Sequence, residues 1–271
     1  MELTQGTTMQ IRRMFAVFCC LLFAGCLSRE PRQHLTPQSS PTIPRLSVPE
    51  TPLSGFALPV PPLIVKKSLT KSSLQWGEKQ LVQMLHDRPA LQGFIQKGDP
   101  VWTWVVRQFA GEGLGGKVEW CNLPMDDSSE GETIPETKTS AHILIGYPSA
   151  KSMRDKFYRE HLWATAIYEL NNVQSVPEFF TLRIAINDHK INQEGWINRV
   201  GRLEYLALRR TKYTYLNLWA PLMKSRGIFS NSDYYLWGKH LPDTYEKWMN
   251  KGYYKVYSNM YKGIYKDSTA K

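Results

Sequence analysis

The chain has 271 residues, of which 42% are hydrophobic and 21% are charged, and its formal net charge at pH 7 is +10. This composition is typical of a globular protein with a basic bias, and it excludes collagen-like, coiled-coil and wholly disordered chains. Residues 1–63 differ from the rest in composition, so we expect a single folded domain over residues 64–271.

The N-terminal residues have the three-part layout of a secretory signal. Two arginines at 12–13 precede an apolar run, 14–24, which is too short to cross a bilayer as a helix. The segment Phe23-Ala24-Gly25-Cys26 resembles the lipobox of bacterial lipoproteins, although phenylalanine stands where leucine is usual. The resemblance implies a signal peptide over 1–25 and a diacylglycerol linked to Cys26, which would become the new N-terminus.

Two other interpretations of this leader stay open. Cys26 could be an ordinary cysteine after the cleavage site of a secreted protein, or the leader could remain uncleaved. Translation could start at Met1 or at Met9, and a start at Met9 gives a more compact basic segment. If Cys26 is lipidated, the protein is exported to the cell envelope. Leu27 is not the aspartate that retains such proteins in the inner membrane, which favours the outer membrane by analogy.

Residues 26–63 are predicted to be the lipidated cysteine and a disordered, Pro-rich linker. Nine of the seventeen prolines lie within 27–63, and proline at this density favours an extended polyproline II conformation. Cys121 is the one cysteine of the domain, so no disulfide can form within it. We predict that Cys121 is a small buried hydrophobic residue.

Helix signals dominate the domain. The sequence predicts helices over 78–86, from Asp87 through Ile95, and from Pro100, after an Asp99 N-cap, to before Gly111. Two more are predicted over about 150–172 and over 179–188, the second after a capping box at Ser175–Glu178. The last two run from Asn192 to about Trp219, with an end near Pro221, and from Pro242 onward. Predicted strands cover 117–123 and 140–147, with a polar, acidic loop between them. Alternating apolar residues leave a strand open as the alternative for 179–188.

The order of these elements, strands first and then helices, predicts an α+β fold, a mostly helical single domain with a small β-sheet. Gly111-Glu-Gly-Leu-Gly-Gly116 matches the GxGxxG phosphate loop, but a helix precedes it and a strand follows. We therefore interpret this segment as a helix-to-strand connection.

No cofactor or metal is predicted. The six histidines are scattered and none pairs with another at a spacing that suits a metal. The acidic residues Asp126, Asp127, Glu130 and Glu132 lack the alternating spacing of a calcium loop, so a solvated loop is expected.

One candidate site lies in the predicted helices. A strand leads into a helix that contains Tyr168-Glu169-Leu-Asn-Asn172, and a later helix carries Glu204. This order resembles the scaffold of zinc metallopeptidases, in which an HExxH helix and a later helix supply the zinc ligands. Glu169 matches the motif, whereas Tyr168 and Asn172 replace the two histidines, so the resemblance implies a vestigial site without zinc. Alternatively, Glu169 is simply a polar residue of an amphipathic helix.

The C-terminal stretch alternates lysines with tyrosines. Tyr253, Tyr257, Tyr261 and Tyr265 recur every four residues and would form one stripe on a helix. We predict that the stripe packs on the domain and that the lysines face solvent. Binding of anionic lipid headgroups or envelope polymers is the alternative role, and no nucleic-acid partner is expected for an exported protein.

Together these features predict a lipid-anchored bacterial cell-envelope protein with a non-catalytic binding or scaffolding domain. Its predicted partner is the membrane, reached through the lipid anchor, and no protein partner can be named. The alternative is an envelope hydrolase on a diverged metallopeptidase-like scaffold.

Overall fold

The computed structural model describes residues 69–122, 131–146, 156–230, 232, 234–238 and 240–269. The predicted signal peptide, Cys26 and the Pro-rich linker lie outside the described residues. So do 123–130, which include three of the four acidic residues of the predicted loop, and 147–155, where we expected a strand to end and a helix to begin.

The described chain is mostly helical and has one small sheet, which confirms the α+β class. The helices are α1 Lys71–Asp87, α2 Pro100–Phe109, α3 Lys156–Asn172, α4 Val176–Asn187, α5 Gln193–Thr214, α6 Ala220–Ser225, α7 Tyr245–Trp248 and α8 Tyr254–Thr269. The strands are β1 Lys117–Trp120, β2 Gly131–Thr137 and β3 Ser140–Ile145. Short 3-10 turns cover Pro89–Leu91, Val173–Ser175 and Tyr235–Trp237, and π turns cover Tyr215–Trp219 and Met249–Tyr253.

The sheet has the order β1-β3-β2, with β1 parallel and β2 antiparallel to β3. Val118, Ala141 and Ile143 are buried in the core. The sequence did not predict β2, and the expectation of a solvated loop was wrong for Glu132, which is buried in this strand. A strand that contains Pro135 has a weak sequence signal, and it is tolerated here because β2 lies at the edge of the sheet.

Helix α2 confirms the prediction from its flanking residues, since Pro100 starts it and Gly111 follows its end with a φ of 81°. The Asp99 side chain does not cap this helix. Instead its Oδ2 accepts hydrogen bonds from the backbone N–H of Gln96 at 2.7 Å and from Arg226 at 2.6 Å. The glycine-rich segment after α2 leads into β1, as predicted for a helix-to-strand connection.

The first helix and the segment after it differ from the prediction. Helix α1 begins at Lys71, not near residue 78, because the Thr70 hydroxyl caps it by accepting from the N–H of Ser73 at 3.1 Å. Between Asp87 and Ile95 only the 3-10 turn at Pro89–Leu91 forms. Arg88 explains the break, because its Nε donates to the Ile145 carbonyl at 2.7 Å and so holds this segment against the sheet.

Helix α4 confirms the helical interpretation of its sequence, but the capping box is absent. Ser175 makes no side-chain cap, because it lies in a 3-10 turn that continues directly from α3. The predicted helix end near Pro221 was also wrong. Pro221 lies in the first turn of α6, and the π turn directly before it lets the helical path continue to Ser225.

The C-terminal helix packs on the domain through its tyrosine stripe. Gly252, with a φ of 102°, sets α8 apart from the π turn before it. Tyr257 and Tyr261 are buried, and the Tyr261 hydroxyl donates to the Ile191 carbonyl at 3.1 Å. This confirms the predicted packing for these two tyrosines, whereas the Tyr265 side chain lies outside the described residues.

The core brings α3 against both the sheet and α5. Three buried tryptophans of the core contact one another, with ring centroids 5.6 Å apart between Trp163 and Trp219 and 5.5 Å apart between Trp219 and Trp237.

Within the described part of the chain, no helix has the length and apolar character needed to cross a membrane.

Candidate functional site

The central residue of the candidate site, Glu169, lies where α3 crosses the edge strand β2. The Thr133 hydroxyl reaches both the Oε2 of Glu169, at 2.7 Å, and its backbone carbonyl, at 2.9 Å. Gly131 permits this close approach, because a Cβ there would lie 2.5 Å from the Thr165 methyl and 3.0 Å from Glu169 Cγ. The strand therefore holds Glu169 in a fixed position on the helix.

A second carboxyl group, that of Glu204, enters from α5. The phenol of Tyr168 donates a short hydrogen bond to Glu204 Oε2. The Asn172 side chain, one turn further along α3, also interacts with this carboxyl. Because α3 and α5 pack side by side, residues 36 positions apart in the chain meet in one buried cluster.

Burial dominates the electrostatics of Glu204. It raises the pKa of this carboxyl from 4.5 to about 8, an effect that the hydrogen bonds from Tyr168 and Asn172 oppose and the nearby charge of Glu169 reinforces. At neutral pH most molecules therefore keep Glu204 protonated and uncharged.

The pKa values of Glu132 and Tyr168 are also raised. Burial, followed by the charge of Glu169, raises the pKa of Glu132 well above its usual range. Burial also raises the pKa of Tyr168, with further contributions from Glu204, Tyr257 and Glu169. The tyrosine is thus a hydrogen-bond donor at physiological pH.

The structure brings together all four residues that the sequence analysis selected. Tyr168 and Asn172 contact Glu204, and the charge of Glu169 affects the titration of both Tyr168 and Glu204. These contacts do not test the metallopeptidase resemblance, but they make the four residues one physical unit.

Sequence reasoning missed three members of the unit. Glu132 and Thr133 belong to the strand that was not predicted, and Tyr257 was identified only as part of a stripe. The tyrosine periodicity could have indicated that Tyr257 is buried, but not which residues it would meet.

The cluster is sealed from solvent, which limits its chemistry. Exposed fractions are 1% for Glu204, 2% for Tyr168 and Glu169, and 4% for Asn172 and Glu132. A substrate cannot reach these atoms without a rearrangement of the helices. Across the described ranges, no group of three or more His, Cys, Asp or Glu side chains is placed to hold a metal ion.

Cys121 differs from its prediction as a buried hydrophobic residue. It is only partly buried, directly after β1, and its thiol lies against the imidazole of His142 on the neighbouring strand. This pair is separate from the carboxyl cluster.

The chain matches no protein-family model, no curated protein and no solved structure.

Proposed function

We propose that this chain is a lipid-anchored bacterial cell-envelope protein whose α+β domain binds or scaffolds and does not catalyse a reaction. The closed cluster at Glu169 supports the non-catalytic part of this proposal. Tyr168 and Asn172 stand where the metallopeptidase scaffold that the sequence resembles has its two zinc-binding histidines. Both side chains interact with Glu204 in a site sealed from solvent.

The proposed lipid anchor rests on the leader sequence. A diacylglycerol on Cys26 would hold the mature chain at the membrane surface, and the linker over 27–63 would let the domain stand away from it. At about 3.1 Å per residue for polyproline II, the fully extended linker reaches on the order of 100 Å. Leu27 favours the outer membrane, with the domain in the periplasm.

Detergent phase partitioning of full-length chain expressed in a bacterium tests the anchor. The wild type and a Cys121→Ala control should enter the detergent phase, whereas Cys26→Ala should stay in the aqueous phase. Mass spectrometry of the mature N-terminus should find the lipid on Cys26. Partitioning of Cys26→Ala into detergent, or an unmodified terminus elsewhere, would overturn the anchor.

The partner we favour is an anionic surface, either lipid headgroups or an envelope polymer. Packing of α8 buries Tyr257 and Tyr261 and leaves Lys255 and Lys262 exposed on the same helix as Tyr254, whose exposed fraction is 47%. Exposed lysines and an exposed aromatic ring on one helix suit a headgroup interface, and the basic net charge draws the chain toward it.

Vesicle binding tests this partner in the Cys26→Ala background, so that the lipid anchor does not contribute. Vesicles of phosphatidylglycerol and phosphatidylcholine should bind this chain at low salt and release it at high salt. Charge reversal by Lys255→Glu with Lys262→Glu should abolish binding, and pure phosphatidylcholine is the control. Equal binding to both vesicle types would contradict a charged interface.

The rival function is an envelope hydrolase, favoured by the meeting of Tyr168, Glu169, Asn172 and Glu204 in one place. Metal analysis of the purified chain separates the two functions. Zinc in a one-to-one ratio to protein, lost in a Glu204→Gln variant, would overturn the non-catalytic proposal.

A further inference from the structure

One polar cluster of the sheet has no part in the proposed function. In the pairing of β1 with β3, Glu119 lies opposite His142. The backbone N–H of Cys121 donates to the Ile143 carbonyl at 2.9 Å, so Cys121 continues the pairing one step beyond β1. Side chains two residues apart on a strand share a face, which places Cys121 on the face of Glu119 and His142.

A β-bulge brings the third member of the cluster into position. Pro135 pairs with Ala141 and Thr137 pairs with Ser140, so Glu136 is the extra residue of β2. Bulges redirect a side chain relative to the regular pleat. Here Glu136 Oε1 lies 2.9 Å from Nε2 of His142, closer than Glu119 Oε2 at 3.7 Å.

This contact fixes the roles of the two imidazole nitrogens. The Nε2–H group donates a hydrogen bond to the Glu136 carboxylate, which leaves Nδ1 as the nitrogen that can accept a proton. A hydrogen bond with the Cys121 thiol is the largest influence on the pKa of His142 and raises it. Burial lowers this pKa, and the charge of Glu136 raises it again.

Solvent can reach this cluster, unlike the cluster at Glu169. The exposed fraction of the side chain is 20% for His142 and 50% for Glu136, and Cys121 is partly exposed. A thiol, a base and a carboxylate that orients the base form the arrangement that nucleophilic catalysis requires.

We propose that Cys121 is a covalent attachment site for acyl groups, with His142 as its general base and Glu136 as the residue that positions His142. The Cys121 sulfur attacks the acyl carbonyl carbon and a carbon–sulfur bond forms. His142 takes the thiol proton and passes it to the leaving oxygen or sulfur as the bond between that atom and the acyl carbon breaks. The products are a thioester on Cys121 and a free alcohol or thiol.

The geometry also limits the acyl donor. The three side chains supply a nucleophile and a proton carrier, so the donor must bring a good leaving group, as thioesters and aryl esters do. Stable capture of an acyl group agrees with a domain that binds rather than turns over substrate. The inference does not depend on the lipid anchor, because it involves the domain alone.

Acetylation of the full-length chain by p-nitrophenyl acetate tests this site. Mass spectrometry of the peptide that contains Cys121 follows acetylation there, so modification of other cysteines does not interfere. The wild type should gain one acetyl group on Cys121. The Cys121→Ser variant should release one equivalent of p-nitrophenol per chain less than the wild type. His142→Gln should slow acetylation by about a hundredfold or more, the usual contribution of a general base.

The pH dependence of the acetylation rate in Glu136→Gln tests whether Glu136 acts through His142. A merely structural role of Glu136 would not change this pH dependence. The rate should rise with pH as His142 loses its proton. Removal of the Glu136 charge should lower the pKa of His142 and move this rise to lower pH, with a smaller plateau rate. The other charged groups that face this pair, Glu119 and the Arg183 guanidinium beside Glu136, stay in place.

His86→Gln is the matched control, because His86 also contacts a carboxylate, that of Asp87 at 3.0 Å, but lies on an exposed helix end. It should leave the rate on Cys121 unchanged. Equal rates in wild type, His142→Gln and Glu136→Gln, with circular dichroism unchanged, would overturn the proposal. Continuous release of p-nitrophenol that requires Cys121 would also overturn it, because the site would then be an enzyme's and not an attachment point.

Discussion

Replacement of Glu204 by glutamine should change how the stability of this domain depends on pH. The side chain is buried between α3 and α5, and burial raises its pKa from 4.5 to about 8. Glutamine has nearly the same shape and still accepts the hydrogen bond from Tyr168, but it does not titrate. The variant therefore isolates the cost of ionising this one group.

The sign follows from proton binding in the two states. Between pH 4.5 and 8, Glu204 is protonated in the folded chain and ionised in the unfolded chain. The folded state then binds more protons, so the free energy of unfolding falls as pH rises. At roughly 1.4 kcal/mol per pH unit, the full contribution of Glu204 is about 5 kcal/mol, present below pH 4.5 and lost by pH 8.

Urea unfolding at several pH values between 4 and 9, followed by circular dichroism, measures this effect. The stability of Glu204→Gln relative to wild type should increase steadily from about pH 4.5 to about pH 8 and then level off. Glu132, whose pKa is also raised, remains in both proteins and its contribution cancels in the difference.

Glu194→Gln is the control, since Glu194 is an exposed carboxyl in the first turn of the same helix. Because this carboxyl is exposed, its replacement should change stability far less than Glu204→Gln does. A constant difference in stability between Glu204→Gln and wild type from pH 4.5 to 8 would refute the argument that burial keeps Glu204 protonated.

Two further substitutions test the packing of the cluster. Tyr168→Phe removes the donor to Glu204 and should cost about 1–3 kcal/mol at pH 7 in urea unfolding, the usual penalty for leaving a buried polar group unsatisfied; an unchanged midpoint would contradict this. Gly131→Ala should lower the free energy of unfolding by about 1–3 kcal/mol through overlap with Thr165, whereas Gly263→Ala, with nothing within 4 Å of its added Cβ, should not destabilise. Equal stability of the two alanine variants would argue against close contact at Gly131.

Part of the candidate site follows from local sequence spacing. Local spacing placed Tyr168, Glu169 and Asn172 on one helix, because side chains three and four residues apart lie on the same face. It did not indicate that Tyr168 would donate to Glu204 or that Asn172 would face the same carboxyl. Those contacts depend on the packing of α3 against α5, which no local pattern encodes.

Strand β2 shows where the local signals fail. The acidic residues that include Glu132 suggested a solvated loop, yet the segment forms an edge strand that buries Glu132 beside Glu169. Pairing with β3 decides this outcome, since a strand is stabilised by its neighbours more than by its own residues.

The sequence by itself determined where several helices begin or end and the α+β class, because prolines, glycines and apolar spacing act within a few residues. It also carries the leader, whose role stays a prediction. Only the tertiary structure decided which side chains are buried together and which face solvent. The carboxyl cluster and the Cys121–His142 pair both join residues distant in the chain, and their chemistry arises from burial and contact that exist only once the elements have packed.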